Sequence, residues 1–496
     1  MSSLAQRAAR GAVWVALGNV VKALIQFIPI AILTRIITPD VFGVFTIVMV
    51  VVYLAELISF GGVGPSIVQH RVLKPTMIGA AIWIAVGASL SISVAIIGAR
   101  EAIGQFMHMP DLVAPLLFVA LGFPINGLSV VGARILQRNI NVGRLTLIDI
   151  SSYIVGYYFI GIPLAWLGYG IWALVAAFLS QSVLRAATLG LSVRRQLTLA
   201  TDCSALKEMA LSSLPLMSAN LLLELQFNLD RLVVGRALGA NPVGFYGRAS
   251  DLIVRGNRLF DQILTRVFFP AFSRKQDDKA RLSELMPVIS AAMLMLMAPF
   301  SMFMFLFAPE IIRITFGEGW SQADTPFALL SLMLTFTVVA RLQMMLIQGM
   351  GHYGLAFMIE LGATFSVLVG AVLGIGYGVN GVGVAMLAVF TVKAIVTQLI
   401  AARLLHIQVH VLGKAFLQTL PMLTIALAAL WGAERVAAIF DGSVARLVSG
   451  LTAYLCLCAV LALPSRARSL VPLMVLIRIV RSNKEKDAMS DKSTLT

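Results

Sequence analysis

Apolar stretches of about twenty residues, the length that carries a helix across a bilayer, recur along almost the whole chain. Segmenting on that length, with Gly, Pro and charge clusters as punctuation, gives fourteen expected spans: residues 12–37, 41–65, 77–99, 112–134, 145–167, 171–192, 210–236, 244–268, 286–312, 327–349, 355–377, 381–404, 414–433 and 444–463. Of the 496 residues, 59% are apolar and only 12% charged, with a mean hydropathy of +0.92. A soluble core has no use for so much apolar side chain, so the expected fold class is an all-α, polytopic membrane protein. The first stretch is too long for a secretory signal and lacks its small-residue cleavage site, and is expected to be the first span.

Basic residues are retained on the cytoplasmic side of a membrane, and alternate connections carry most of them here. One set holds Arg7, Arg10, Arg71, Lys74, Arg134, Arg138, Arg144, Arg194, Arg195, Lys207, Arg274, Lys275, Lys279, Arg281 and Lys414, together with the tail after Pro464. The other set has little beyond Arg100, Arg313, Arg435 and Arg446, and is very short at Thr38-Pro39-Asp40, Gly168-Tyr169-Gly170 and Asn380-Gly381. Both termini are therefore expected in the cytoplasm. The net charge of +15 fits anionic headgroups and cytoplasmic loops better than nucleic acid. The tail is expected to hold a short interfacial helix at residues 470–480, followed by a polar end.

Sliding the chain by 201 positions aligns Asn19 with Asn220, Leu33-Thr34-Arg35 with Val234-Gly235-Arg236, and Val41-Phe42-Gly43 with Pro242-Val243-Gly244 without a gap. Transporters are often built from such duplications. The expected organisation is two pseudo-symmetric six-helix lobes, 1–205 and 206–405, a trailing helix pair at 406–463, and a basic cytoplasmic tail at 464–496.

An ionisable side chain in hydrocarbon costs roughly 2.5–3.5 kcal/mol on insertion scales, so those that persist face a wet cavity or pair with one another. Lys22 lies in the first span, Glu56 in the second, Glu224, Asp230 and Arg231 in the seventh, and Asp251, Arg255, Arg258 and Asp261 in the eighth. The other ten spans contribute Asp149, Arg341, Glu360 and Lys393, read as packing or rim residues. The polar spans are the first two of each expected lobe, and they mark a cavity. Spacings of four, three and three put Asp251, Arg255, Arg258 and Asp261 on one helical face. Lys22, Arg255 and Arg258 would offer cations to a phosphate or diphosphate, unless Asp251–Arg255 and Arg258–Asp261 merely neutralise each other. Asn19, Gln26, Asn220, Gln226 and Asn228 add neutral polar groups, and Glu56 is a candidate coupling carboxylate.

Three cysteines, Cys203, Cys456 and Cys458, have no metal or disulfide spacing, so neither a metal nor a cofactor is expected. No Gly-rich phosphate loop ending in Gly-Lys-Ser/Thr is present, which argues against an ATPase. The prolines Pro29, Pro163, Pro215 and Pro299 would bend their helices.

Several segments in order carry a resemblance. They are Leu33-Thr34-Arg35 with Thr38-Pro39-Asp40-Val41-Phe42-Gly43, Gly61-Gly62-Val63-Gly64-Pro65, Asp230-Arg231-Leu232-Val233-Val234-Gly235-Arg236, Phe268-Phe269-Pro270-Ala271-Phe272, Phe316-Gly317-Glu318-Gly319-Trp320 and Gln348-Gly349-Met350-Gly351. Together the chain resembles the polysaccharide transporter family, the bacterial exopolysaccharide and O-antigen flippases of the multidrug, oligosaccharidyl-lipid and polysaccharide flippase superfamily. The resemblance implies an inner-membrane protein that moves undecaprenyl-diphosphate-linked oligosaccharide by alternating access, alongside polymerase or export machinery. It also implies that basic cavity residues bind the diphosphate, a role that Lys22, Arg255 and Arg258 would fit. Two alternatives stay open: a cation-coupled drug exporter of the same superfamily, for which acidic and aromatic cavity residues would be expected, and a membrane glycosyltransferase or polymerase, for which the external connections look too short.

Overall fold

The computed structural model describes residues 25–60, 63, 66–67, 73–139, 141–274, 278–417 and 419–462. Among them all regular structure is helical and no strand occurs. The chain divides into two compact units, Met1–Gly247 and Arg248–Thr496.

In the first unit, α1 (Ile25–Ile36) leads through Thr38 into α2 (Pro39–Phe60), followed by α3 (Pro75–Met107), α4 (Val113–Arg138) and α5 (Val142–Tyr153). The chain then widens into a π-helical turn, Ile154–Gly161, and closes as α6 (Ile162–Trp166) before α7 (Ile171–Val193), α8 (Cys203–Gln226) and α9 (Leu229–Leu238). α3 packs on α4, α4 on α7, and α2 lies against α3, α4 and α8. The core includes Ile67, Met77, Ala81, Ala85, Val131, Leu189 and Met209. Tyr153 and Tyr158 donate their hydroxyls to the backbone of Gln26 and Ile25, which ties the π turn to α1.

α10 (Ala240–Arg274) begins in the first unit and continues into the second, which holds α11 (Lys279–Leu306), α12 (Ala308–Phe316), α13 (Asp324–Gly349), α14 (Tyr353–Gly374), α15 (Gly378–Leu404), α16 (Val409–Leu417), α17 (Leu420–Ala437) and α18 (Ser443–Ala462). α13 packs between α11 and α15, α14 lies on α15, and α17 pairs with α18. Leu264, Phe268 and Phe272 of α10 join Met286, Met293, Leu334, Leu342 and Leu346 in this unit's core.

Eight stretches are long and apolar enough to cross a membrane: Pro39–Ser59, Pro75–Met107, Pro110–Arg138, Gly143–Trp166, Ile171–Val193, Lys279–Leu306, Glu318–Gly349 and Tyr353–Leu404. The last folds back at Gly378 into α14 and α15. α14 shows what surrounds them. Its Ala356, Glu360, Ala363, Thr364, Val367 and Ala371 are buried, whereas Met358, Phe365, Val372 and Leu373 are exposed. A helix with small and polar residues inside and large apolar ones outside is inverted for water and suited to lipid. The all-α polytopic class read from the sequence holds.

Two expected spans break. Residues 210–236 are not one helix: α8 stops at Gln226 and α9 starts at Leu229. Asn228 leaves helical geometry (φ −133°, ψ −18°), and its side-chain amide donates to the Glu224 carbonyl at 2.8 Å, competing with the backbone ladder as Asn side chains do. Likewise 286–312 ends at Leu306, and α12 restarts with Pro309 in its first turn, where a missing N–H costs nothing. The interfacial helix expected at 470–480 lies outside the described residues.

Candidate functional site

Sequence arithmetic put four ionisable residues on one face of α10, and the helix is built accordingly. Ile253, Leu264 and Phe268 are buried, while Arg255, Arg258 and Gln262 are exposed. This polarity is the reverse of α14 and keeps α10 out of the set of membrane-length apolar helices despite its 35 residues. Its outward face therefore belongs in water or against a polar ligand, not in hydrocarbon.

The carboxylates of that face are spent elsewhere than expected. Asp251 forms an ion pair with Arg248 at 2.9 Å, one turn back on the same helix, and Asp261 pairs with Arg341 of α13. The intrahelical pairs Asp251–Arg255 and Arg258–Asp261, the bland alternative, are not the ones formed. Both carboxylates instead pin α10, at its first half and at its α13 contact, and two exposed guanidinium groups three residues apart stand between them.

A second polar group lies within the first unit. The Asn126 side-chain amide donates to Glu56 at 2.9 Å, the Ser129 hydroxyl to the Asn126 carbonyl at 2.9 Å, and Arg185 to Ser129 Oγ at 3.2 Å and Asp149 at 2.9 Å. Four helices, α2, α4, α5 and α7, are joined by this chain. It has two carboxylates and one guanidinium, and the neutral amide of Asn126 faces Glu56. Arg185 escaped the reading of the sequence although it sits well inside the sixth span, where the rule that flagged Lys22 applies equally.

α9 supplies a third. Asp230 is buried, accepts the Arg231 backbone N–H at 2.8 Å and accepts the Tyr246 hydroxyl at 2.6 Å. Arg231 is buried beside it. Glu224 sits at the α8 terminus, where Asn228 also approaches its carboxylate at 3.5 Å. In the second unit Lys393 and Glu360 pair at 2.8 Å, and Gln343 bridges Ser290 at 2.8 Å and Gln398 at 2.5 Å; these lock α14 to α15 and α11 to α13 and α15. Lys22 and Asn19 lie outside the described residues, and Asn220 falls in α8 with its side chain outside the description. Among the described residues no cluster of His, Cys, Asp and Glu has the makings of a metal site.

A helical membrane protein with polar faces turned inward is the class that the fold defines, and solved structures share it. The chain superposes on a structure titled lipid II flippase MurJ, inward closed conformation, with a TM-score of 0.69 over 91% of this chain and 99% of that one, at 14% identity. It also superposes on an inward-facing multidrug resistance MATE family transporter of the MOP superfamily, with a TM-score of 0.58 over 79% and 95%, at 17% identity. The profile of the polysaccharide biosynthesis protein family matches residues 32–325, and the chain belongs to that family. Its relatives include the lipopolysaccharide biosynthesis protein WzxC of Escherichia coli (strain K12), 24% identical over 326 residues, which are 64% of this chain and 65% of that one. Another is the succinoglycan biosynthesis transport protein ExoT of Rhizobium meliloti (strain 1021), 22% identical over 308 residues, or 62% of each chain. The matched region thus spans somewhat less than two thirds of these relatives. The family named from the sequence segments is the one found.

Proposed function

We propose that this protein is a flippase that carries undecaprenyl-diphosphate-linked oligosaccharide across the bacterial inner membrane by alternating access, for exopolysaccharide, capsule or O-antigen export. The observation that carries this reading is the outward face of α10, where Arg255 and Arg258 are exposed on a membrane protein's helix while Asp251 and Asp261 are engaged by Arg248 and Arg341. Two guanidinium groups on adjacent turns suit the adjacent phosphates of a diphosphate, since Arg binds phosphate oxygens bidentately. Lys22 is assigned to the same headgroup from its place in the first span. The names of the relatives, one in lipopolysaccharide and one in succinoglycan biosynthesis, support a glycan cargo.

In this reading the two six-helix lobes expected at 1–205 and 206–405 enclose the cavity, both termini are cytoplasmic, and the protein moves its cargo without chemical conversion, handing it to polymerase or export machinery. Asn19, Asn220 and Glu224 would contact glycan or water, Glu56 is the candidate coupling group, and Asp230, Asp251 and Asp261 hold the cavity helices in position.

The test is R255A/R258A in a strain deleted for this chain. A charge-assisted hydrogen bond is worth about 1.5–3 kcal/mol, so losing two sets should lower export by at least about 100-fold while leaving membrane insertion intact. Normal export by a well-expressed double variant would remove the headgroup assignment.

A further inference from the structure

The ends of α2 and α10 cross in a way that the 201-residue repeat explains. A Cβ placed on Gly43 would lie 2.6 Å from the carbonyl carbon of Ala240, and one placed on Gly244 would lie 2.9 Å from the carbonyl carbon of Pro39. Pro39 and Ala240 are themselves 201 apart, as are Gly43 and Gly244. The repeat thus converts the first contact into the second. Reciprocity of this kind, in which residue i meets j and the counterpart of i meets the counterpart of j, is what a twofold axis through an interface produces. One turn further on, the relation continues: a Cβ on Gly247 would stand 2.7 Å from Thr46 Cγ2 and 3.3 Å from Thr46 Cβ, and Thr46 and Gly247 again differ by 201. All these residues belong to the first compact unit, and Phe42, Thr46 and Val243 around them are buried.

From this we infer that the crossing of α2 and α10 at Gly43 and Gly244 is a gate, a seal on the local twofold axis that closes the outer end and parts in every transport cycle. The inference rests on the transport reading. When two repeats rock about their shared axis, a contact on that axis near one end cannot persist while that end is open. The crossing lies next to Thr38-Pro39-Asp40 and Gly239, connections that the charge distribution assigns to the outside. It is made by backbone against backbone, so it closes tightly because neither helix has a side chain there, the arrangement by which small residues bring membrane helices together. α10 continues inward from it to the Arg255 and Arg258 face, which places the seal on the same helix as the proposed headgroup site.

The geometry also supplies the means to lock it. A Cβ–Cβ separation of 3.3 Å is within a few tenths of an ångström of the disulfide range of roughly 3.5–4.5 Å. In a chain with Cys203, Cys456 and Cys458 replaced by Ser, T46C/G247C should form a disulfide on mild oxidation. Oxidised cells should export at least ten-fold less surface polysaccharide than reduced ones, and dithiothreitol should restore export. A chain verified as cross-linked that exports as well as its reduced form overturns the inference, as does failure of the disulfide to form.

A conformational readout separates this from the transport reading. S250C, on α10 just past the crossing and buried, should react with an impermeant maleimide added to intact cells in the reduced T46C/G247C background and be protected after oxidation. With G43V the crossing cannot close, and S250C should label faster than in the parent. Equal labelling in all three overturns the gate whatever the cargo. If the cysteine-free parent does not restore export while labelling follows this pattern, the cargo is wrong and the gate stands.

Discussion

Lys393 and Glu360 hold α14 to α15 through a 2.8 Å contact between side chains that are each only 10% exposed, and removing one partner should be costly in a calculable way. K393M keeps the length and packing of the lysine stem but leaves the carboxylate of Glu360 without its ammonium. Breaking a buried pair from one side costs about 3–5 kcal/mol, and the insertion cost of a lone charge near a helix centre is about 2.5–3.5 kcal/mol. The two routes meet near 3 kcal/mol. For a unit of about 250 residues, each kcal/mol lowers the midpoint by roughly 2–4 °C, so K393M should melt about 6–12 °C below the parent. E360L/K393M removes both charges and fills the space with apolar atoms; it should recover to within about 1 kcal/mol, because buried pairs gain little over a packed hydrophobic pair. Thermal unfolding of the purified protein in detergent, followed by size exclusion, gives all four corners of the cycle. A double variant as unstable as the single one, or a single variant within about 2 °C of the parent, would refute the reasoning.

Two further effects follow from local geometry and can be read in the same assay. Y246F removes the 2.6 Å bond to Asp230 inside a buried cluster, so a loss of about 1.5–3 kcal/mol is expected; D230N should lose less, because its amide oxygen still accepts the hydroxyl. Gly378 turns the chain between α14 and α15 at φ 70° and ψ −161°, a region open essentially to Gly alone at a cost of about 1–3 kcal/mol for other residues. G378A should pay that cost although nothing crowds the position, and a neutral result would show that the turn relaxes.

What the sequence made legible is what a bilayer enforces locally. Apolar length set the helical class, and positional arithmetic set the polar face of α10, because both depend on neighbours in the chain. Partners did not yield to the same arithmetic. Asp261 finds Arg341 80 residues away and Glu360 finds Lys393 33 residues away, whereas helical spacing offers only intrahelical pairs such as Arg258–Asp261. The breaks before Leu229 and Ala308 were hidden for a related reason: hydropathy runs on through both, and the cause is a single Asn amide or Pro ring. Arg185 is different, since its position inside a span was visible and only its link to Asp149 needed three dimensions.

The difference in partners decides how the α10 face works. If Asp251 and Asp261 neutralised Arg255 and Arg258, the face would be a closed ionic stripe that serves packing alone. With the two carboxylates turned to Arg248 and Arg341, the same four residues become two anchors flanking two exposed cations. The anchors hold α10 against α13 at Asp261 and stiffen its own turn at Asp251, so the guanidinium groups are presented from a fixed helix. A rigid presentation is what a headgroup site requires, because the ordering cost is met in folding and not at binding. Loss of Arg341 should accordingly weaken export through the position of α10, without removing either headgroup cation.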